Sequence, residues 1–462
     1  MPAILKETVT LSSGIEANIA IVHVEHFRVQ PFNERPPSDL VLRTEVALAT
    51  ARLDAEIYPV AHPAMRSDVT SSIDFGETRI ELWGDRAVAI ADRYAHVGLT
   101  AEQLWRDRRG ATPSPFPAPL AHTDLMRLWS ASLEKDEIFT NANYFLFEPS
   151  EFDTPFEAYG DPIGMVVTGG VILYPPQVPR TCLVSDGERS TLKNLSFNDI
   201  AISLPGAIEV PSHSMGEFHG AATRPIALAR YFGSMDGLTP EGKDVVEIAV
   251  VGRHAVALGR GGRMPIPRTG CVIRFPQEPD ASMVHALKQG EPITYSFLDG
   301  VVLEGVQAGP RLVSGGAFSP DDTIFHCEGV FVEGAAGDLF QSSPDNWKAD
   351  WHETRAARLG AGIDARGQLF LVAVEGQSSY SKGGGPLRGA TLFDIAELLH
   401  RYGAVEGMHL DGGGSTQLFR PFGGSILRPG NFCRGFEDVE ADYDRPLPLG
   451  LRLKLRRVDQ DT

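Results

Sequence analysis

The sequence predicts an α+β protein: a mixed, twisted β-sheet flanked by helices, with a largely helical insertion near the N-terminus. Three observations lead there. Residues 8–30 alternate apolar and polar positions in the manner of strands, most clearly over Ile19-Ala20-Ile21-Val22-His23-Val24. Residues 39–58 change to helical spacing, with Val46, Leu48, Ala49, Ala51, Leu53 and Ala55 uninterrupted by glycine or proline. Beyond residue 367 the chain reads as a strand, a loop, a helix, a second strand and a glycine-rich turn.

Taken in order, residues 1–30 supply strands that join the main sheet. Pro59 stops the first helix. Residues 31–130 form the helical insertion or accessory region, ending in a proline-rich connector over 109–120. A helix follows over 123–135. Residues 131–462 form the principal domain, which begins with short β-like runs such as 165–171, 245–251 and 270–275, separated by Gly, Pro and Asp. The run 368–374 is a buried strand. Residues 391–402 are a helix, with Leu392, Ile395, Ala396, Leu398 and Leu399 on one side, Thr391 as cap and Gly403 as stop. Residues 405–410 are a short strand that runs into Asp411-Gly412-Gly413-Gly414-Ser415-Thr416, and 447–455 is a closing strand.

Composition narrows the function. Asp and Glu outnumber Lys and Arg by 60 to 42, a formal charge of −18, so the surface repels phosphate backbones and no nucleic-acid partner is expected. No stretch approaches the ~18–20 uninterrupted apolar residues of a membrane span, so no membrane partner is expected. Residues 1–7 show no basic region followed by an apolar run. Cys182, Cys271, Cys327 and Cys433 are widely separated and form no Cys-x-x-Cys pair, which suits reduced thiols. A cytoplasmic location follows as the expectation. Oligomeric state is left open.

The strongest chemical signal is residues 411–416. Successive glycines let backbone approach a ligand or take positive φ, and their bare N–H groups can form an anion-binding concavity. The alternative reading is a tight turn closed by a capping Asp411. A glycine run follows at 383–385, read as a mobile loop or a lid. No Walker-A loop, dinucleotide fingerprint, His-Glu-x-x-His or Gly-x-Ser-x-Gly is present. His326, His352 and His409 are candidate metal ligands, but lone histidines are more often structural. No metal site and no cofactor are therefore expected, with a divalent ion as the alternative. Arg311 and Arg358 are candidate phosphate partners, because a guanidinium pairs two phosphate oxygens at once.

In order along the chain, these segments resemble the phosphodiester glycosidase family over residues 137–455. The resemblance begins at Asn141-Ala142-Asn143-Tyr144-Phe145 and continues through Pro162-Ile163-Gly164, Gly169-Gly170-Val171, Ser185-Asp186-Gly187, Gly309-Pro310-Arg311-Leu312 and Gly362-Ile363-Asp364. Its most specific stretch runs from Leu371-Val372-Ala373-Val374-Glu375-Gly376 to Leu410-Asp411-Gly412-Gly413-Gly414-Ser415. Two positions depart from the family pattern: Glu375-Gly376-Gln377 stands where Asp-Gly-Arg is usual, and Arg388 precedes Gly389 where serine is common.

The resemblance implies a hydrolase that cleaves the glycosidic bond of a small-molecule or oligosaccharide phosphodiester, giving free sugar and a phosphomonoester. Such a leaving group is stable as an anion, so the two-carboxyl arrangement of ordinary glycosidases is not required. Asp411 and Glu375 would activate water or support the oxocarbenium-like centre, and Arg311 and Arg358 would hold the phosphate. Asn141, Asn143, Gly412, Gly413, Gly414, Ser415 and Thr416 would bind substrate. The competing readings are a phosphodiesterase that cleaves the P–O bond, and an inactive carbohydrate- or nucleotide-binding module.

Overall fold

A computed structural model describes residues 3–31, 73–75, 78–80, 133–145, 161–214, 224–229, 238–318, 328, 355–376, 389–421, 425–427 and 447–456. Its frame is a ten-stranded sheet, labelled here in chain order: β1 Ile4–Thr10, β2 Glu16–Pro31, β3 Glu137–Asn141, β4 Arg311–Val313, β5 Arg358–Asp364, β6 Leu369–Val374, β7 Ala404–His409, β8 Leu418–Phe419, β9 Ser425–Leu427 and β10 Leu449–Leu455. The order across the sheet is β4-β7-β5-β6-β2-β10-β3-β8-β9, with β1 on β2. β2 is long enough to serve two neighbours: residues 19–23 pair with β6, and after an irregularity between Val24 and His26 the rest pairs with β10. That bend carries the sheet from the β5–β6–β7 half to the β3–β10 half, and the site forms where the two halves meet.

Two α-helices occur among the described residues, α1 Ala281–Lys288 and α2 Leu392–Arg401. α2 is the helix expected over 391–402. Thr391 and Asp394 form a reciprocal capping box, and Gly403 takes φ +90° just past its end. Its apolar stripe, Leu392, Ile395, Ala396, Leu398 and Leu399, is buried against β5 and β7. Close packing there depends on a bare sheet surface: a Cβ at Gly360 would lie 2.9 Å from Ile395 Cγ2 and 3.0 Å from Leu399 Cδ1. Each fully buried leucine of this stripe contributes about 1.5–3 kcal/mol.

Residues 161–307 build a second apolar core from three smaller sheets, with Phe197, Ile248, Ile273, Met283 and Leu287 at its centre. Here a buried ion pair, Arg274 Nη1 to Glu247 Oε1 at 2.7 Å, ties a strand pair to the 239–241 turn through Thr239 and the Pro240 carbonyl.

The α+β expectation is overturned: the protein is mainly β, built of several antiparallel sheets. Every pairing in the ten-stranded sheet is antiparallel, and the one parallel pairing among the described residues joins Ser212–Ser214 to Ile226–Ala229. The physical reason is in the apolar runs. Residues 180–185, 246–251, 270–275 and 369–374 are buried on both faces, a pattern that invites helical cover, but much of the cover comes from other strands. Short hairpin turns such as 186–189 and 252–253 also remove the need for crossover helices. Within the expected helical insertion, Ile73–Phe75 and Thr78–Ile80 form an antiparallel pair instead. The rest of 31–130, including the helix expected over 39–58 and the proline-rich connector, lies outside the described residues. Of the helix expected over 123–135, residues 133–136 are described and are coil and turn.

Candidate functional site

Three chain segments converge at the ends of β3, β5 and β7. The loop after β7 is clamped from both sides by the segment after β3. Asp411 donates its backbone N–H to the Ala142 carbonyl at 2.9 Å, and its own carbonyl accepts from Asn141 Nδ2 at 2.5 Å. Asn141 Oδ1 in turn accepts the Gln417 N–H at 3.2 Å. Asn141 thus spans the glycine loop from its first residue to the one after its last.

Within the loop, Gly413 takes φ +58°, a left-handed conformation that glycine adopts without steric penalty. The turn closes as a short 3-10 helix over Gly413–Ser415, with Ser415 and Thr416 donating to the Gly412 and Gly413 carbonyls at 3.1 Å each. Two glycine amides are already used inside the fold. Gly412 donates to Asp411 Oδ1 at 2.8 Å, and Gly413 to the Ala357 carbonyl at 2.8 Å. The expected anion cradle of bare glycine amides is to that extent occupied, and Asp411 serves as the loop's own cap.

Cationic charge at this place comes from Arg358, the first residue of β5. It is 2% exposed, and its Nε donates to the Ala390 carbonyl at 3.2 Å. Burial lowers its pKa to about 10, with Tyr144, Asp411 and Asp394 opposing the shift. The side chain is therefore still a cation at neutral pH. Around it stand two groups whose burial keeps them neutral. Tyr144 is held well above its ordinary pKa by burial, reinforced by the charge of Asp411. His409, the last residue of β7, is held well below its ordinary value by burial, with Arg358 adding to the effect. The Tyr144 hydroxyl lies 2.9 Å from His409 Nδ1 and 3.1 Å from the Gly309 carbonyl oxygen.

A second buried guanidinium, Arg180, interacts with Tyr144 and Glu328, and burial lowers its pKa to about 10. Glu328 accepts the Thr181 N–H and the Arg311 N–H at 2.9 Å each, and also the Thr181 hydroxyl. A Cβ at Gly309 would lie 2.5 Å from Glu328 Oε2 and 2.9 Å from Arg180 Cγ, so glycine is what lets this turn approach the pair.

The remaining sequence candidates fall as follows. Arg311 directs its guanidinium to Glu406 in an ion pair whose side chains are each 30% exposed. Glu375 follows Val374, the residue opposite Arg358 in the β5–β6 register, and accepts Asn18 Nδ2 at 3.0 Å. No described contact carries it to Asp411. Asn143 Nδ2 donates to the Met165 carbonyl at 2.9 Å, while its Oδ1 and the Thr416 hydroxyl are buried without a hydrogen-bond partner among the described residues. Ser415 and Gly414 are buried in the loop. His326, His352 and the 383–385 loop lie outside the described residues, as do Cys327 and Cys433, while Cys182 and Cys271 are free and buried. Among the described residues no group of three or more His, Cys, Asp or Glu is arranged to hold a metal ion, and no helix is long and apolar enough to cross a membrane.

Sequence reasoning assigned no role to Tyr144, Arg180, Glu328 or Gln417. Tyr144 sits inside the Asn141–Phe145 segment that carried the resemblance. Arg180 opens the apolar run Cys182-Leu183-Val184, where a charged residue signals a buried partner, but the partner, Glu328, is set by topology alone.

Residues 245–448 match the model of the phosphodiester glycosidase family. Arg311, Arg358, Glu375, His409 and the 411–416 loop lie inside the matched segment, and Asn141, Asn143 and Tyr144 lie before it. No curated protein matches the sequence. Among solved structures, the chain is similar to a hypothetical protein from Synechocystis, at 14% identity and TM-score 0.42, covering 98% of this chain and 62% of the other. The chain thus spans about 62% of the length of that relative. A putative exported protein from Burkholderia pseudomallei K96243 is 18% identical at TM-score 0.42, covering 98% of this chain and 96% of the other. The zebrafish N-acetylglucosamine-1-phosphodiester alpha-N-acetylglucosaminidase catalytic domain, auto-inhibited by its pro-peptide, is 11% identical at TM-score 0.35, covering 99% and 85%.

Proposed function

We propose that this protein hydrolyses the glycosidic C–O bond of a sugar 1-phosphodiester, releasing free sugar and a phosphomonoester. The observation that carries the reading is Arg358: a buried cation close to Asp411 and the glycine loop, within the segment that matches the family model. A phosphodiester brings one negative charge to such a cation and leaves as a phosphomonoester anion, so stabilisation of the departing oxygen by Arg358 replaces much of the acid catalysis a sugar leaving group needs. Asp411 supports positive charge building at the anomeric carbon or takes a proton from the attacking water. Asn143 Oδ1 and the Thr416 hydroxyl, both buried and both seeking a partner, suit the hydroxyls of a sugar. Arg311 is committed to Glu406, so the phosphate contact in this scheme falls to Arg358.

The test is hydrolysis of methyl α-D-glucosyl phosphate and its N-acetylglucosaminyl counterpart in oxygen-18 water, with and without chelator, followed by phosphorus and proton NMR. Label in the sugar supports the reading. Label in the phosphate assigns the cleavage to the P–O bond and sinks it, and binding without turnover leaves a carbohydrate-binding module.

A further inference from the structure

The Tyr144 hydroxyl has one hydrogen, and among the described residues its close polar neighbours include the Gly309 carbonyl oxygen at 3.1 Å and His409 Nδ1 at 2.9 Å. The carbonyl can only accept. If the phenol gave its hydrogen to Nδ1, two lone-pair-bearing oxygens would face each other in a buried place with no hydrogen between them. Both contacts are satisfied together only when the phenol donates to Gly309 and Nδ1–H donates to the phenol. Burial keeps the imidazole neutral, so the ring carries that one hydrogen and Nε2 bears a lone pair. The Nε2 edge lies against the glycine loop: a Cβ at Gly412 would sit 3.3 Å from His409 Cε1 and 3.3 Å from Nε2. The ring thus meets the segment after β3 through the Tyr144 hydroxyl, which also bonds the 309–310 turn, and its Nε2 edge faces the loop that carries Asp411.

We infer that His409 is a positioning residue, fixed as the neutral Nδ1–H tautomer, whose bond to Tyr144 sets the placement of the Asp411–Gly412 backbone against the segment that holds Asn141 and Asn143. The Nδ1–H assignment stands on the hydrogen-bond geometry of a ring that burial keeps neutral, whereas the consequence for turnover rests on the function proposed above. Among the described residues, the charged and titratable groups facing the ring include Arg358, from β5, and Tyr144.

Nitrogen-15 NMR of the full chain with ring-labelled histidine tests the tautomer directly. One resonance pair, identified by its loss in His409→Asn, is expected to show a protonated Nδ1 and an unprotonated Nε2, and Tyr144→Phe is expected to release it toward the Nε2–H form. Two substitutions then separate the ring nitrogens. An asparagine amide places a donor where Nδ1 stands, and a glutamine amide places it where Nε2 stands. His409→Asn should keep kcat on the two glucosyl phosphodiesters within about threefold. His409→Gln, lacking one buried hydrogen bond, should lower kcat by about tenfold with KM little changed. An Nε2–H signal in the unsubstituted protein, or equal impairment of both variants, would overturn the inference. Should neither phosphodiester be turned over, the proposed function fails separately. The NMR result still decides the tautomer, and a higher melting temperature for His409→Asn than for His409→Gln, or its absence, decides the positioning.

Discussion

Replacing Arg358 with methionine is expected to separate stability from activity. Burial lowers the Arg358 pKa from its ordinary value to about 10. A cation whose pKa is depressed on folding binds its proton less tightly in the native state, so at every pH below about 10 the folded protein carries a penalty, relieved only as pH rises above about 10. A drop of that size corresponds to about 3 kcal/mol. Methionine fills a similar volume without a charge and removes the penalty. It also removes the bond from Nε to the Ala390 carbonyl, a loss of about 1 kcal/mol, and leaves Asp411 without a neighbouring cation. Removing one member of a buried charged group leaves the other uncompensated, a loss of about 3–5 kcal/mol, so the variant is expected to be about 1–3 kcal/mol less stable than the parent. Turnover should fall by about a hundredfold or more, because the group that stabilises the departing phosphate oxygen is gone. Urea denaturation at neutral pH and initial rates on methyl α-D-glucosyl phosphate measure the two sides. A variant that loses stability and still turns over substrate normally would refute the reasoning, since the guanidinium would then be structural.

Five further outcomes follow from the same geometry. Asp411→Asn keeps an acceptor for the Gly412 amide and should stay within about 1 kcal/mol of the parent in stability while losing at least about tenfold in kcat; an unchanged rate removes Asp411 from the chemistry. Gly412→Ala has an ordinary φ of −125° but a Cβ 3.1 Å from the Ala357 carbonyl, so overpacking of about 1–3 kcal/mol is expected by denaturation. Gly413→Ala meets no atom within 4 Å, and its loss, about 1 kcal/mol, arises from φ +58° alone. Arg311→Gln breaks an ion pair that is partly open to solvent, so stability should change by less than about 1 kcal/mol and KM should not move; a large rise in KM would return Arg311 to the phosphate site. For His409, whose folded pKa lies well below 6.5, the unfolded chain takes up a proton that the folded chain refuses, so stability should fall as pH drops below about 6.5 and fall less steeply in His409→Asn.

The strands around the site were legible because their sequence patterns are strong. The run Leu369–Val374 is apolar at every position, and α2 carries a cap, a stripe and a glycine stop that agree with one another. The fold class was not legible, because a strand buried on both faces reads the same whether a helix or another sheet covers it. What covers 246–251 and 270–275 is decided by pairings between residues far apart in sequence, and no local pattern records them. The site divides along the same line. The 411–416 loop announces itself through consecutive glycines, but the cation beside it could be named only as one arginine among several. Arg311 and Arg358 look alike in sequence: each opens a short apolar strand.

The structure distinguishes them through what each arginine meets. Arg311 lies at a partly exposed position where Glu406 neutralises it, so its charge is satisfied without a ligand. Arg358 is enclosed beside a phenol and an imidazole that burial holds uncharged, and the carboxylates of Asp411 and Asp394 also act on it. A guanidinium in surroundings of low polarity attracts an anion more strongly than one in water, and under the proposed function that attraction is directed at the phosphodiester.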